Sequence, residues 1–97
     1  MNKKSDQLQQ LESVKKLYQP PKEIKAEHQE FIKKVGDRLK QIRESKEMSA
    51  SRLAKESKLS RNLYHQMEHG RVYFTISSLL RVLDILEVPA SDFFNDF

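Results

Sequence analysis

The side chains best placed to do chemistry lie between Arg61 and His69. His65 and His69 stand four residues apart with Glu68 between them. Two His at that spacing on one helical face can bind zinc, and a Glu beside them could act as a base. Such a site needs a third protein ligand and a substrate cleft. The chain offers neither, and Gly70 ends the helix at once. Ser/His/Asp catalysis lacks the strand–turn–helix elbow that would support it. No catalytic residue, metal or cofactor is therefore expected. A second chemistry fits the same stretch. If a helix opens after Ser60 and buries Tyr64 and Met67, then Arg61, Asn62, His65 and Gln66 share its outward face. A polar helix face of this kind is available to read a DNA groove.

The elements that must position this face can be read on either side of it. Ser49 is an N-cap with Leu53 and Ala54 as the first buried positions, so Met48–Gly70 reads as two short helices joined by a tight turn. Upstream, Ile24, His28, Phe31, Val35, Leu39 and Ile42 recur near every 3.5 residues, which predicts one long helix over about 22–45. His28 on that stripe reads as a packed or interfacial residue. Pro20-Pro21 breaks any helix arriving from the N-terminal side, and the second Pro can open a new one. Before them, Leu8, Leu11, Val14 and Leu17/Tyr18 mark a short amphipathic helix in need of something to pack against. Residues 1–30 thus form a helical extension that serves dimerisation or binds a partner protein, and 31–97 the main domain. Downstream, Arg71–Phe74 is a loop and Thr75 caps a helix carrying Ile76, Leu79, Leu80, Leu83 and Leu86. Pro89 ends that helix, and Ala90–Phe97 makes a final turn with Phe93, Phe94 and Phe97. Three Phe in the last five residues close the core and leave some for a dimer contact. The architecture is all-α, with five helices in the main domain.

Composition bounds the function. Ninety-seven residues suit one small domain and an appendage, without room for a large enclosed active site. Two Gly and three Pro argue against a turn-rich β fold, and the absence of Cys removes disulfides and thiolate metal sites. No apolar run approaches the ~18 residues that span a membrane, and Met1–Gln10 has no hydrophobic signal region, so a cytoplasmic protein is expected. The net charge of +4 is unevenly spread. Residues 31–61 carry ten Lys/Arg against four acids, whereas residues 62–97 carry two Arg against five acids. Positive charge concentrates where a phosphate-binding surface would need it; a solvated charged face is the blander meaning of the same pattern.

Residues 34–94 resemble the Cro/phage-repressor type of helix-turn-helix, also called the xenobiotic-response-element (XRE) family. The resemblance rests on Val35, Arg38-Leu39, Ile42-Arg43, Ser49, Leu53-Ala54, Leu59-Ser60, Tyr64, Met67-Glu68 and Gly70. It continues through Leu79, Leu83, Leu86 and the Val88…Phe93-Phe94 ending. It implies a five-helix lambda-repressor-like domain. It also implies that Arg61, Asn62, His65 and Gln66 contact bases, Arg donating to guanine O6/N7 and Asn or Gln pairing with adenine N6/N7. Phosphate contacts are implied for Lys40, Ser49, Arg52, Lys58, Ser60, His69, Arg71 and Tyr73, helped at the capped helix starts by the helix dipole. Arg43 and Glu68 match a structural ion pair. The sequence departs from the family in four places. Ala50 stands where Gln is usual, Lys58 where the turn usually has Gly, Ser57 at an apolar position, and Phe74 where Pro is common. Leu63 should point outward, to touch a thymine methyl or to pack against the neighbouring loop.

The resemblance implies a sequence-specific DNA-binding regulator, a repressor that grips a two-fold operator in double-stranded DNA as a homodimer. A different class of function is an antitoxin or adaptor that binds a partner protein through residues 1–30.

Overall fold

The computed structural model describes residues 23–97, so the expected helix over 1–18 and the Pro20-Pro21 break lie outside the described residues. Five helices follow in order: α1 (Ala26–Ser45), α2 (Ala50–Glu56), α3 (Arg61–Glu68), α4 (Ile76–Leu86) and α5 (Ala90–Phe93). The described residues contain no strand.

The first helix starts later than its apolar spacing predicts. Lys25 takes extended angles (φ −59°, ψ 142°) and forms the N-cap without a side-chain bond. Its backbone N–H donates to the Tyr73 hydroxyl at 3.2 Å, and its carbonyl accepts from the His28 N–H at 2.8 Å. A residue of the loop before α4 thus fixes where α1 begins. Ile24, read as the first member of the stripe, lies before the helix and is half-buried.

Helices of seven and eight residues are too short to persist alone, since isolated helices below ~12–15 residues are marginal in water. Packing holds them. Leu53 and Ala54 of α2 and Tyr64 and Met67 of α3 are buried in one cluster with Val35, Leu39, Leu79, Val82, Leu83, Leu86 and Phe93. Each large aliphatic side chain removed from water there contributes roughly 1.5–3 kcal/mol. Leu63 joins this cluster from its edge, so it packs inward and is half-buried.

Four turns share one local device. After α1, α2, α3 and α4 a residue at positive φ closes the helix: Glu47 (54°), Lys58 (58°), Gly70 (66°) and Glu87 (59°). In each, the next residue's N–H reaches back five positions, as in Leu59 N to Ala54 O at 2.9 Å and Arg71 N to Gln66 O at 3.0 Å. These paired bonds satisfy carbonyls left open at the helix end. Only Gly70 does this without steric cost. The three others give up roughly 1–2 kcal/mol each in the left-handed region. The turn between α2 and α3 keeps the usual left-handed geometry although Lys58 occupies it.

Gly36 of α1 is buried where α3 ends. A Cβ there would collide with the carbonyl oxygens of Glu68 and Met67, the latter at 2.6 Å. The absent side chain lets α1 and α3 approach backbone to backbone.

Candidate nucleic-acid interface

The outward face of α3 is built from its cap inward. Ser60 takes extended angles and its Oγ accepts from the Leu63 N–H at 3.0 Å. Ser49 does the same for α2, accepting from the Arg52 N–H at 3.1 Å. Each hydroxyl keeps its own O–H for an incoming acceptor. With Tyr64 and Met67 buried, Arg61, Asn62 and His65 stand exposed and Gln66 half-buried. Arg61, Asn62 and His65 line, together with Ala50 and Ser51, a cleft of about 470 Å³ between the starts of α2 and α3. Ala50, where the family has Gln, leaves this cleft open, and Ser51 is an exposed member of it that sequence reasoning missed. The signal was its position in the first turn after the Ser49 cap.

The far end of α3 is locked by charge. Arg43 donates through Nη2 to Glu68 Oε1 at 2.6 Å and through Nε to Oε2 at 3.1 Å, a two-pronged pair with side chains 13% and 5% exposed. Its Nη1 donates to the Met48 carbonyl at 2.9 Å, so one guanidinium ties α1, the turn before α2, and α3. Burial pushes the Glu68 carboxyl up, but the hydrogen bonds and charge of Arg43 outweigh it, leaving its pKa below the ordinary value. The Arg43 pKa is raised, chiefly by its hydrogen bond to Glu68. Burial raises the Tyr64 phenol well above its usual value, and its neighbour Glu68 adds to the rise.

Because Glu68 turns inward to Arg43, it does not act with the two imidazoles of the zinc-like spelling. Among the described residues no group of three His, Cys, Asp or Glu could hold a metal ion. His65 and His69 instead pack ring against ring, tilted by 36° with centroids 4.1 Å apart, and His69 Nδ1 lies 2.9 Å from the His65 carbonyl oxygen.

The residues expected at phosphates are distributed around this face. Lys40 and Arg52 are exposed and meet Glu44 (3.9 Å) and Glu56 (3.4 Å) on their own helices. Arg71 lines a separate hollow of about 420 Å³ with Glu23, Ile24, Gln29, Lys33 and Gly70. Lys58 lines a third, of about 200 Å³, with Ser57, Arg81 and Asp84. Ser57 is 2% exposed and its Oγ has no hydrogen-bond partner. The Tyr73 hydroxyl lies 2.7 Å from His28 Nδ1 as well as on the Lys25 N–H, so it holds α1 in place. His28 is exposed there, with its ring edge against Tyr73.

Comparison with known proteins decides the family. A family model described as "Helix-turn-helix domain" matches residues 34–93. The chain belongs to the helix-turn-helix family. It is a DNA-binding regulator of the XRE (Cro/C1) type. Among solved structures, this helix-turn-helix protein is similar to the restriction-modification controller protein C.AhdI from Aeromonas hydrophila. Identity is 27%, with 65% of this chain and 96% of that one covered and a TM-score of 0.63. The wild-type controller protein C.Esp1396I is 35% identical over 65% of this chain and 82% of its own, with a TM-score of 0.61. A further structure holds the C.Esp1396I tetramer with its natural 35 base-pair operator, at the same identity and TM-score, covering 65% of this chain and 83% of that one. The clp gene regulator ClgR from Corynebacterium glutamicum shares the fold at 24% identity and a TM-score of 0.61, over 63% of this chain and 65% of its own. No curated relative matches the chain. Among the described residues no helix is long and apolar enough to cross a membrane.

Proposed function

We propose that the chain is a sequence-specific transcriptional repressor that binds a two-fold operator as a homodimer, with α3 in the major groove. The observation that carries this reading is the exposed set Arg61, Asn62 and His65 on one face of a capped α3, whose far end is fixed by the Arg43–Glu68 pair. Arg61 has the two-pronged geometry for guanine O6/N7, and Asn62 and Gln66 the amide for adenine N6/N7. Lys40, Ser49, Arg52, Lys58, Ser60, His69 and Arg71 supply phosphate contacts that set register and contribute no base preference. Two half-sites one helical turn apart give the affinity that one small motif lacks. The operator-bound tetramer of C.Esp1396I supports assembly on DNA. The chain carries out binding, not catalysis, and acts in the cytoplasm.

The family match begins at residue 34; residues 1–30, of which 26–30 belong to α1, are read as the part that binds a partner protein or supports dimerisation. An antitoxin or adaptor role would reside there and is compatible with DNA binding. Deleting residues 1–21 separates the two: loss of a partner with operator binding intact favours the adaptor.

The deciding experiment is selection of bound sequences from a random DNA pool, followed by fluorescence-anisotropy titration of Arg61→Ala and Gln66→Ala. Each variant should relax preference at its own base pair by about 1–3 kcal/mol. Unchanged site preference in both variants would refute the base-reading assignment.

A further inference from the structure

On the side of α1 packed against the C-terminal residues, an aromatic patch stands at the surface. Phe31 is 51% exposed, with its ring seated against two others. It stacks parallel on Phe94, with centroids 6.2 Å apart and 3° between planes, and meets Phe97 edge-on at 5.5 Å. Phe94 and Phe97 are half-buried beside it. Arg38 fixes the C-terminal residues to α1. Its Nη1 donates to the carbonyls of Phe93 (2.9 Å) and Asn95 (2.7 Å), and its guanidinium lies 4.8 Å from the Phe97 ring centroid. Phe31 therefore presents a preordered ring, which loses little rotamer freedom when covered.

The charges along this face of α1 have a polarity. Glu27, Phe31, Lys34 and Arg38 follow one another at spacings of four, three and four, so they share one stripe, with Glu30 at its edge. Glu27, Glu30 and Lys34 are exposed. Acid lies on the N-terminal side of Phe31 and base on the C-terminal side. A parallel copy of the stripe would set acid against acid. An antiparallel copy related by a two-fold at Phe31 sets acid against base twice. The stripe is thus complementary to itself in the isologous arrangement only.

We propose that this face pairs two copies of the chain, α1 antiparallel on α1. Phe31 of each copy lies at the two-fold, and Glu27 of each faces the partner's Lys34. This inference rests on the homodimeric reading above and names its surface. The aromatic rings supply the attraction, and the exposed ion pairs set direction and register more than affinity. Three rings form a patch smaller than the roughly 800 Å² per partner of a standard interface, so the association is concentration-dependent in the absence of DNA.

Sedimentation velocity on the full chain, over a concentration series at low salt and without DNA, tests it. Phe31→Ser should lose the association. Glu27→Lys alone and Lys34→Glu alone should each weaken it about tenfold, because each homodimer then opposes like charges twice. An equimolar mixture of the two single variants should recover wild-type association, and so should the double variant. Glu27 and Lys34 lie seven residues apart on one helix, beyond each other's reach, so rescue reports a contact between copies. The swapped positions are exposed, and an unchanged melting curve confirms that the fold persists. Three results overturn the proposal. One is a mixture that associates no better than its components. Another is indifference to both swaps and to Phe31→Ser, as expected if residues 1–22 of the same chain cover the patch. The third is dissociation on Ile76→Ser with the swaps silent, which would place the contact on the exposed Ile76 and Leu80 of α4. Failure of the DNA-binding reading is distinct: it would appear as normal self-association with no operator selected.

Discussion

Glu68 does its work by being ionised in a place that disfavours ionisation. Burial alone would raise its pKa, but the Arg43 hydrogen bonds and charge bring it below the ordinary carboxyl value. A depressed carboxylate contributes stability that is present above the unfolded value and is lost as pH falls through the folded one. Acid unfolding of the wild type should therefore begin to steepen below about pH 4.5. Glu68→Gln removes the titrating group and leaves the Arg43 guanidinium buried without its counter-ion, at a cost of about 3 kcal/mol at neutral pH. Chemical denaturation from pH 7 to pH 3 should show a less stable variant with a shallower acid limb. An acid limb equal to that of the wild type would sink this assignment. Tyr64 acts at the other extreme: its raised pKa keeps the phenol neutral, so its contribution holds below the ordinary phenol value and fades above it.

Between elements, the closest approach is that of α1 to α3 over Gly36. An Ala there would gain roughly 1 kcal/mol of helix propensity. Its Cβ, however, would sit 2.6 Å from the Met67 carbonyl oxygen, and backbone atoms cannot turn aside. Overpacking of this kind costs about 1–3 kcal/mol, so destabilisation wins. Gly36→Ala should lower the melting temperature by several degrees and weaken operator binding, since α3 must move away from α1. Calorimetry and anisotropy on the same preparation test both, and a melting temperature at or above wild type would contradict the close approach. The short helices depend on the same docking. Leu63, expected at an outward register on α3, packs half-buried against the edge of the core.

At the scale of the whole chain, charge is unevenly spread along the sequence. The Lys/Arg excess lies in residues 31–61, while the acidic balance of 62–97 keeps net charge at +4. Lys40 is an instructive member. Its pair with Glu44 at 3.9 Å is solvent-exposed on both sides, worth about 0–1 kcal/mol, and easily given up to a phosphate. Lys40→Ala should weaken every DNA sequence to a similar degree and reduce the slope of log affinity against log salt by about one. A slope that stays the same while one sequence alone loses affinity would move Lys40 from phosphate to base recognition. The face around Phe31 follows the other logic: it contributes assembly, so its variants should alter cooperativity on a two-fold site and leave base preference unchanged.

Much of this was legible along the chain because the forces responsible act over three or four residues. Ser49, Ser60 and Thr75 cap the helices predicted from them, since an N-cap hydroxyl reaches only the N–H three positions on. The apolar spacing found Val35, Leu39, Tyr64, Met67, Leu79, Leu83 and Leu86 of the core. Phe31, Ile76 and Leu80 of the same stripes are exposed, however, and Ile32 and Val82 outside them are buried. The family resemblance placed the Arg43–Glu68 pair. Some features depended on residues brought together from afar. The start of α1 was set by Tyr73, 48 residues beyond Lys25, and the C-terminal clamp by Arg38 reaching 57 positions to Asn95. Glu47 and Glu87 close their helices in the left-handed region without a Gly to announce it, and the bonds from Met48 N to Arg43 O and from Val88 N to Leu83 O close the turns there. Gly36 was one glycine among two until α3 lay across it. Sequence alone determined which stretches are helical and the centres of their inward faces. Tertiary structure decided where each begins and ends, and which remaining surfaces stay exposed, because those outcomes follow from what packs across the chain.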